Sequence, residues 1–140
     1  MKTDKGIFIP NTSFSTPVLF LIFNRPDTTE QVFSAIRKAK PPRLYVAADG
    51  PRSDYSNEAE SCEIARSIAT NVDSDCEVKT LFRERNLGCG LAVTSAIDWF
   101  FEQESEGIIL EDDTKPSEQF FKFINFGLSK YRDDKNIGSI

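Results

Sequence analysis

Residues 107–114, Gly107-Ile108-Ile109-Leu110-Glu111-Asp112-Asp113-Thr114, form a short apolar run that ends in three consecutive carboxylates. Adjacent negative charges repel, so a fold gains nothing by placing them together at the end of a buried strand. A divalent cation would remove the repulsion. Hard ions such as Mg²⁺ or Mn²⁺ take oxygen ligands, and Mg²⁺ commonly shares its shell with substrate phosphates. The plain alternative is a solvated acidic turn with an N-cap, since turns favour Asp. Side chains alternate along an extended chain, so Asp112 is expected opposite Glu111 and Asp113. The three then cannot grip one ion as equals. Asp113, furthest past the strand, is the expected direct ligand, with Glu111 and Asp112 reaching metal-bound water or sugar hydroxyls.

Three further groups could share that chemistry. Arg25 could clasp a phosphate with two parallel hydrogen bonds, or be a surface arginine beside a proline turn. Asp49, before Gly50, could accept from a nucleobase N–H or from ribose hydroxyls, or belong to a plain Asp-Gly turn. In Asn86-Leu87-Gly88-Cys89-Gly90, glycines ahead of a helix allow a ligand close to the backbone, and a helix N-terminus favours negative charge. Gly88-Cys89-Gly90 also matches part of a dinucleotide-binding fingerprint, with Glu111 about 20 residues on. Val93 stands where its third glycine belongs. No P-loop pattern occurs.

The elements that must position these groups can be read from apolar patterning. Pro17 to Phe23 is continuously apolar, which predicts a strand covered on both faces, as in a parallel sheet. Asp27 with Glu30 suggests an Asp variant of a capping box opening a helix to about Ala39, with Val32, Ile36 and Ala39 on one side. Arg43–Ala48 reads as a second strand, about Asn57 to Thr70 as a helix, and Glu77–Phe82 as a third strand. A helix over about Leu91 to Gln103 would turn Ala92, Ala96, Trp99 and Phe100 inward. Gly107–Glu111 is the fourth strand, and a helix after Pro116 carries a Phe120, Ile124, Leu128, Tyr131 stripe. Ile137 to Ile140 resembles the start of a fifth strand, and residues 1–16 an irregular leader to a domain over 17–140. Strand and helix alternate four times, the pattern of an open, mostly parallel α/β sheet with helices on both faces. Ligands of such sheets bind beyond the carboxyl ends of the strands, where all of these polar groups fall.

Composition narrows the chemistry. The chain of 140 residues suits one domain, and its net charge of −5 argues against a nucleic-acid surface. It has no histidine, which excludes Ser-His-Asp and Cys-His catalysis within the chain. Cys62, Cys76 and Cys89 lack zinc-site spacing and read as reduced thiols of a cytoplasmic protein. No stretch is long enough for a transmembrane segment or has the apolar core of a signal peptide.

A first strand ending in Asn24-Arg25, a second ending in Asp49-Gly50, and Ile109-Leu110-Glu111-Asp112-Asp113 before a Phe-rich helix resemble nucleotide-diphospho-sugar transferases of the GT-A fold. The likeness is to the N-acetylglucosaminyltransferase I-like group, whose acidic motif is also Glu-Asp-Asp, and it runs from about Pro17 to Ile140. It implies a Rossmann-like donor-binding domain that takes a UDP-sugar and Mn²⁺ (or Mg²⁺) and serves transfer to an acceptor hydroxyl. Asp113 would ligate the metal, and Glu111 and Asp112 would support ribose, sugar or metal-bound water. Asp49 would read the uracil edge and Arg25 would contact the uridine or its phosphates. The loop from Asn86 to Gly90 would lie near the donor. Enzymes of this type place acceptor-binding elements and the general base further along, so the chain reads as the N-terminal part of a longer transferase. Two other functions fit the same pattern. One is a sugar-phosphate nucleotidyltransferase, which would want a glycine-rich basic loop after the first strand. The other is a non-catalytic nucleotide-binding or interaction module, dimerising through an exposed side of the Phe120–Phe126 helix.

Overall fold

The computed structural model describes residues 14–114 and 116–134. Four strands alternate with four helices: β1 (Val18–Ile22), α1 (Pro26–Ala39), β2 (Arg43–Ala48), α2 (Glu58–Ala69), β3 (Glu77–Phe82), α3 (Cys89–Phe101), β4 (Ile108–Glu111) and α4 (Glu118–Tyr131). The strands form one sheet in the order β3-β2-β1-β4. Every pairing is parallel, with Val18 beside Leu44 and Ile108, and Arg43 beside Glu77. This is the open α/β sheet that the alternating pattern predicts. The expected fifth strand lies outside the described residues.

Alternation along the strands separates two cores. Val18, Phe20, Ile22, Leu44, Val46, Ile108 and Leu110 pack with Val32, Phe33 and Ile36 of α1, Ala65 and Ala69 of α2, and Phe121 and Ile124 of α4. Leu19, Leu21, Tyr45 and Ala47 face the other way, onto Ala96 and Phe100 of α3. A fully buried ring such as Phe20 or Phe100 contributes about 2–3 kcal/mol by burial. The helix faces follow from handedness. The chain steps one way through β1, β2 and β3 with α1 and α2 on one face. It then returns to β4, and a right-handed return requires α3 on the opposite face. The strand order thus reverses beside β1, the place where such sheets open to ligands.

Several local expectations need correction. Asp27 does not cap α1: Arg25 is the N-cap residue, with no side-chain cap bond, because Pro26 already begins the helix and leaves Asp27 in its first turn. Helix α3 starts at Cys89, two residues before Leu91, since Gly88 turns the chain with a positive φ of 87°. The buried side of α4 is Phe121, Ile124, Asn125 and Gly127, whereas Tyr131 is exposed. Its inward face is set by the end of the supposed leader. Phe14 meets Phe121 edge-on at 5.7 Å, and the Asn125 Oδ1 accepts from the Thr16 hydroxyl at 2.6 Å and the Ser15 N–H at 3.1 Å. Residues 14–16 therefore belong to the packed domain. Among the described residues, no helix is long and apolar enough to cross a membrane.

Candidate functional site

A cavity of about 580 Å³ opens at the carboxyl edge of the sheet, between the strand ends and the first turns of α3. Its floor is apolar: Leu21, Ala47 and Leu81 from the sheet, and Ala92, Val93 and Ala96 from α3. Small side chains at Ala47, Ala92 and Ala96 leave the space that larger ones would fill. The rim is polar, and it contains all seven residues singled out in the sequence: Arg25, Asp49, Asn86, Gly88, Glu111, Asp112 and Asp113. Residues up to 88 positions apart meet here because parallel strands deliver all their carboxyl ends to one edge.

The acidic residues occupy one end. Leu21 of β1 lies beside Glu111 of β4, so the chain beyond each strand emerges next to the other. The Thr114 N–H closes a turn on the Glu111 carbonyl at 3.1 Å, leaving Glu111 and Asp113 exposed and Asp112 half-buried. Burial pushes the Asp112 carboxyl above its ordinary value, against the opposing pull of the Arg25 charge and a hydrogen bond donated by the Phe23 backbone N–H. Among the described residues, no three acidic or thiol side chains converge as a ready-made metal cage. An ion held by one or two carboxylates and completed by phosphate oxygens and water is the arrangement that Mg²⁺ tolerates, and these oxygen donors suit it. Arg25 is exposed and has no ion-pair partner among the described residues.

No protein-family model matches the chain, and no curated protein matches it.

The opposite end of the cavity is built around Asp49, whose carboxylate is engaged by the chain itself. Its Oδ1 accepts from the Gly50 and Leu87 N–H groups, each at 2.8 Å, and its Oδ2 from the Asn86 side-chain amide and the Gly88 N–H, each at 3.1 Å. A carboxylate offers about four acceptor positions, so the chain itself occupies them. Gly50 completes the seat: a Cβ there would stand 2.5 Å from the Arg85 backbone. Asp49-Gly50 is therefore the dock for residues 84–88, and through them for the start of α3. The Asn86 amide also donates to the Gly50 carbonyl at 2.8 Å. Gly90, by contrast, borders open space and needs no glycine.

Sequence reasoning gave no individual role to three side chains. Glu58, buried in the first turn of α2, accepts from the Asn24 amide at 2.8 Å and from the Arg52 N–H and guanidinium at 2.6 Å. These bonds hold its pKa down to about 2 and tie the loops after β1 and β2 together. Arg52 also lies 3.6 Å over the Tyr55 ring. Arg83 enters the cavity just past β3, as Arg25 does past β1. That shared position relative to a strand end was the available signal for Arg83. Nothing local marked Glu58, because its partners come from two other loops.

Proposed function

We propose that this domain binds a nucleotide-diphospho-sugar in the cavity at the carboxyl edge of the sheet and is the donor-binding part of a metal-dependent glycosyltransferase of the GT-A type. The observation that carries the reading is the pairing of Arg25 with the Glu111–Asp113 turn on neighbouring strands, facing one cavity with an apolar floor. A diphosphate needs cations and a metal needs carboxylates, and both requirements are met side by side. Asp113 is the proposed Mn²⁺ or Mg²⁺ ligand, with Glu111 and Asp112 acting through water or sugar hydroxyls. The metal would supply Lewis-acid stabilisation of the diphosphate leaving group. Arg25 would bind phosphate oxygens, and the start of α3, aimed by Asp49, Asn86 and Gly88, would line the nucleoside side. The nucleotidyltransferase alternative is less well supported, since Asn24-Arg25-Pro26 after β1 provides one arginine and no glycine-rich loop. Calorimetric titration of UDP-sugars with and without Mn²⁺ tests the proposal. Binding should depend on the metal and fall at least roughly tenfold in Asp113→Ala, the loss of one charge-assisted contact. Metal-independent binding, or an unaffected variant, would remove it.

A further inference from the structure

The cavity is lined by a second guanidinium that the donor reading leaves unused. Arg83 is half-buried and has no ion-pair partner among the described residues. Its one side-chain hydrogen bond is a donation from Nη2 to the Ser95 hydroxyl at 3.3 Å. A guanidinium has five N–H donors, so most of its capacity is not taken up by described residues, and the residue lines the cavity. Its backbone is pinned on both sides. The Arg83 N–H donates to the Ala48 carbonyl at 3.0 Å, and its carbonyl accepts from Arg66 at 2.7 Å. The side chain thus projects from a fixed base.

Position decides what it could meet. Arg83 follows β3 and the acidic turn follows β4, at opposite edges of the sheet. Three strand spacings separate them, about 14 Å. If a metal holds the diphosphate at the β4 end, a nucleotide lying along the cavity would bring its base toward Arg83. At that end Asp49 has its four acceptor positions filled by the chain. A base arriving there meets strong donors and no open carboxylate.

We infer that Arg83 is a specificity-determining residue that donates to a carbonyl oxygen of the base, selecting uracil or cytosine over adenine, which has no carbonyl. The inference rests on the donor reading above, and it shifts base recognition from Asp49, which positions the loop, to Arg83, which touches the ligand. The test is titration of UDP, CDP and ADP in the presence of Mn²⁺ against wild type, Arg83→Met and Arg83→Gln, with melting temperatures as a check of fold. Wild type should bind UDP and CDP roughly tenfold or more tightly than ADP, the worth of one hydrogen bond from a charged donor. Arg83→Met should lose most of that preference by weakening UDP and CDP while leaving ADP unchanged, and Arg83→Gln should recover part of it. Equal binding of UDP and ADP by wild type overturns the inference, as does an unchanged preference in Arg83→Met. If UDP binding still requires Mn²⁺ and Asp113 in that case, the donor reading stands and only Arg83 falls. If no nucleotide binds with Mn²⁺, both fall.

Discussion

The two edges of the sheet differ in how much of their charge the chain itself satisfies. At the amino edge, Arg43, Tyr45 and Glu104 satisfy one another. The guanidinium donates to Glu104 at 2.5 and 2.8 Å, and the Tyr45 hydroxyl donates to it at 2.6 Å. Burial and that carboxylate push the Tyr45 hydroxyl up to about 12, and the guanidinium holds Glu104 below its ordinary value. The cluster closes the space beneath Trp99 and Phe100, both edge-on to the Tyr45 ring. At the carboxyl edge, Arg25 and Arg83 have no ion-pair partner among the described residues, and the acidic turn reaches solvent around an open cavity. Polar groups that complete each other hold a fold together. Polar groups left facing a cavity are available to a ligand.

The sharpest way to break this contrast is at the seat of the cavity wall. Gly50→Ala forces a methyl group against the Arg85 backbone, and should cost about 3 kcal/mol by overpacking. Chemical denaturation would read the stability loss, and UDP binding should weaken with it because the 84–88 segment is displaced. Glu104→Ala should cost less, about 1–3 kcal/mol for stranding Arg43 and the buried Tyr45 hydroxyl, and should leave metal-dependent nucleotide binding unchanged. A Glu104→Ala protein that folds well but binds poorly would show that the amino edge is not merely structural.

Acid gives a smaller and more local test. The folded-state pKa of Glu58 is about 2, against an ordinary value of 4.5. Its pairing with Arg52 and Asn24 therefore stabilises the fold in full above that ordinary value and is lost as pH falls toward about 2. Thermal melts should show wild type more stable than Glu58→Gln near neutral pH, with the gap closing between about pH 4 and pH 2. A gap that stays constant over that range would mean that the ion pair contributes nothing beyond shape.

Much of the architecture was legible from local pattern. The continuous apolar run at β1 and the helical spacing of Val32 and Ile36, or of Cys62, Ala65 and Ala69, reflect burial that neighbouring residues share. The convergence of Arg25, Asp49 and the acidic turn was legible because it follows from strand direction alone. What stayed hidden depends on partners distant in sequence. Phe14 to Thr16 carry no periodic signal, and they are packed only because Phe121 and Asn125 receive them more than 100 residues later. The four bonds that Asp49 accepts from Gly50, Asn86, Leu87 and Gly88 were hidden as well, since three of those residues lie more than 35 positions away. Arg83 could be placed at a strand end from the sequence, but that no described residue forms an ion pair with it shows only once the chain is packed.

The central claim is that the carboxyl-edge cavity takes a metal-bound nucleotide diphosphate. Its most direct measurement is a calorimetric titration of UDP into wild type and Asp113→Ala, each with and without Mn²⁺. Wild type should bind only with Mn²⁺, and binding should be lost or weakened at least roughly tenfold in Asp113→Ala, at unchanged melting temperature. Equal binding by both proteins, or no effect of Mn²⁺ on wild type, would contradict it.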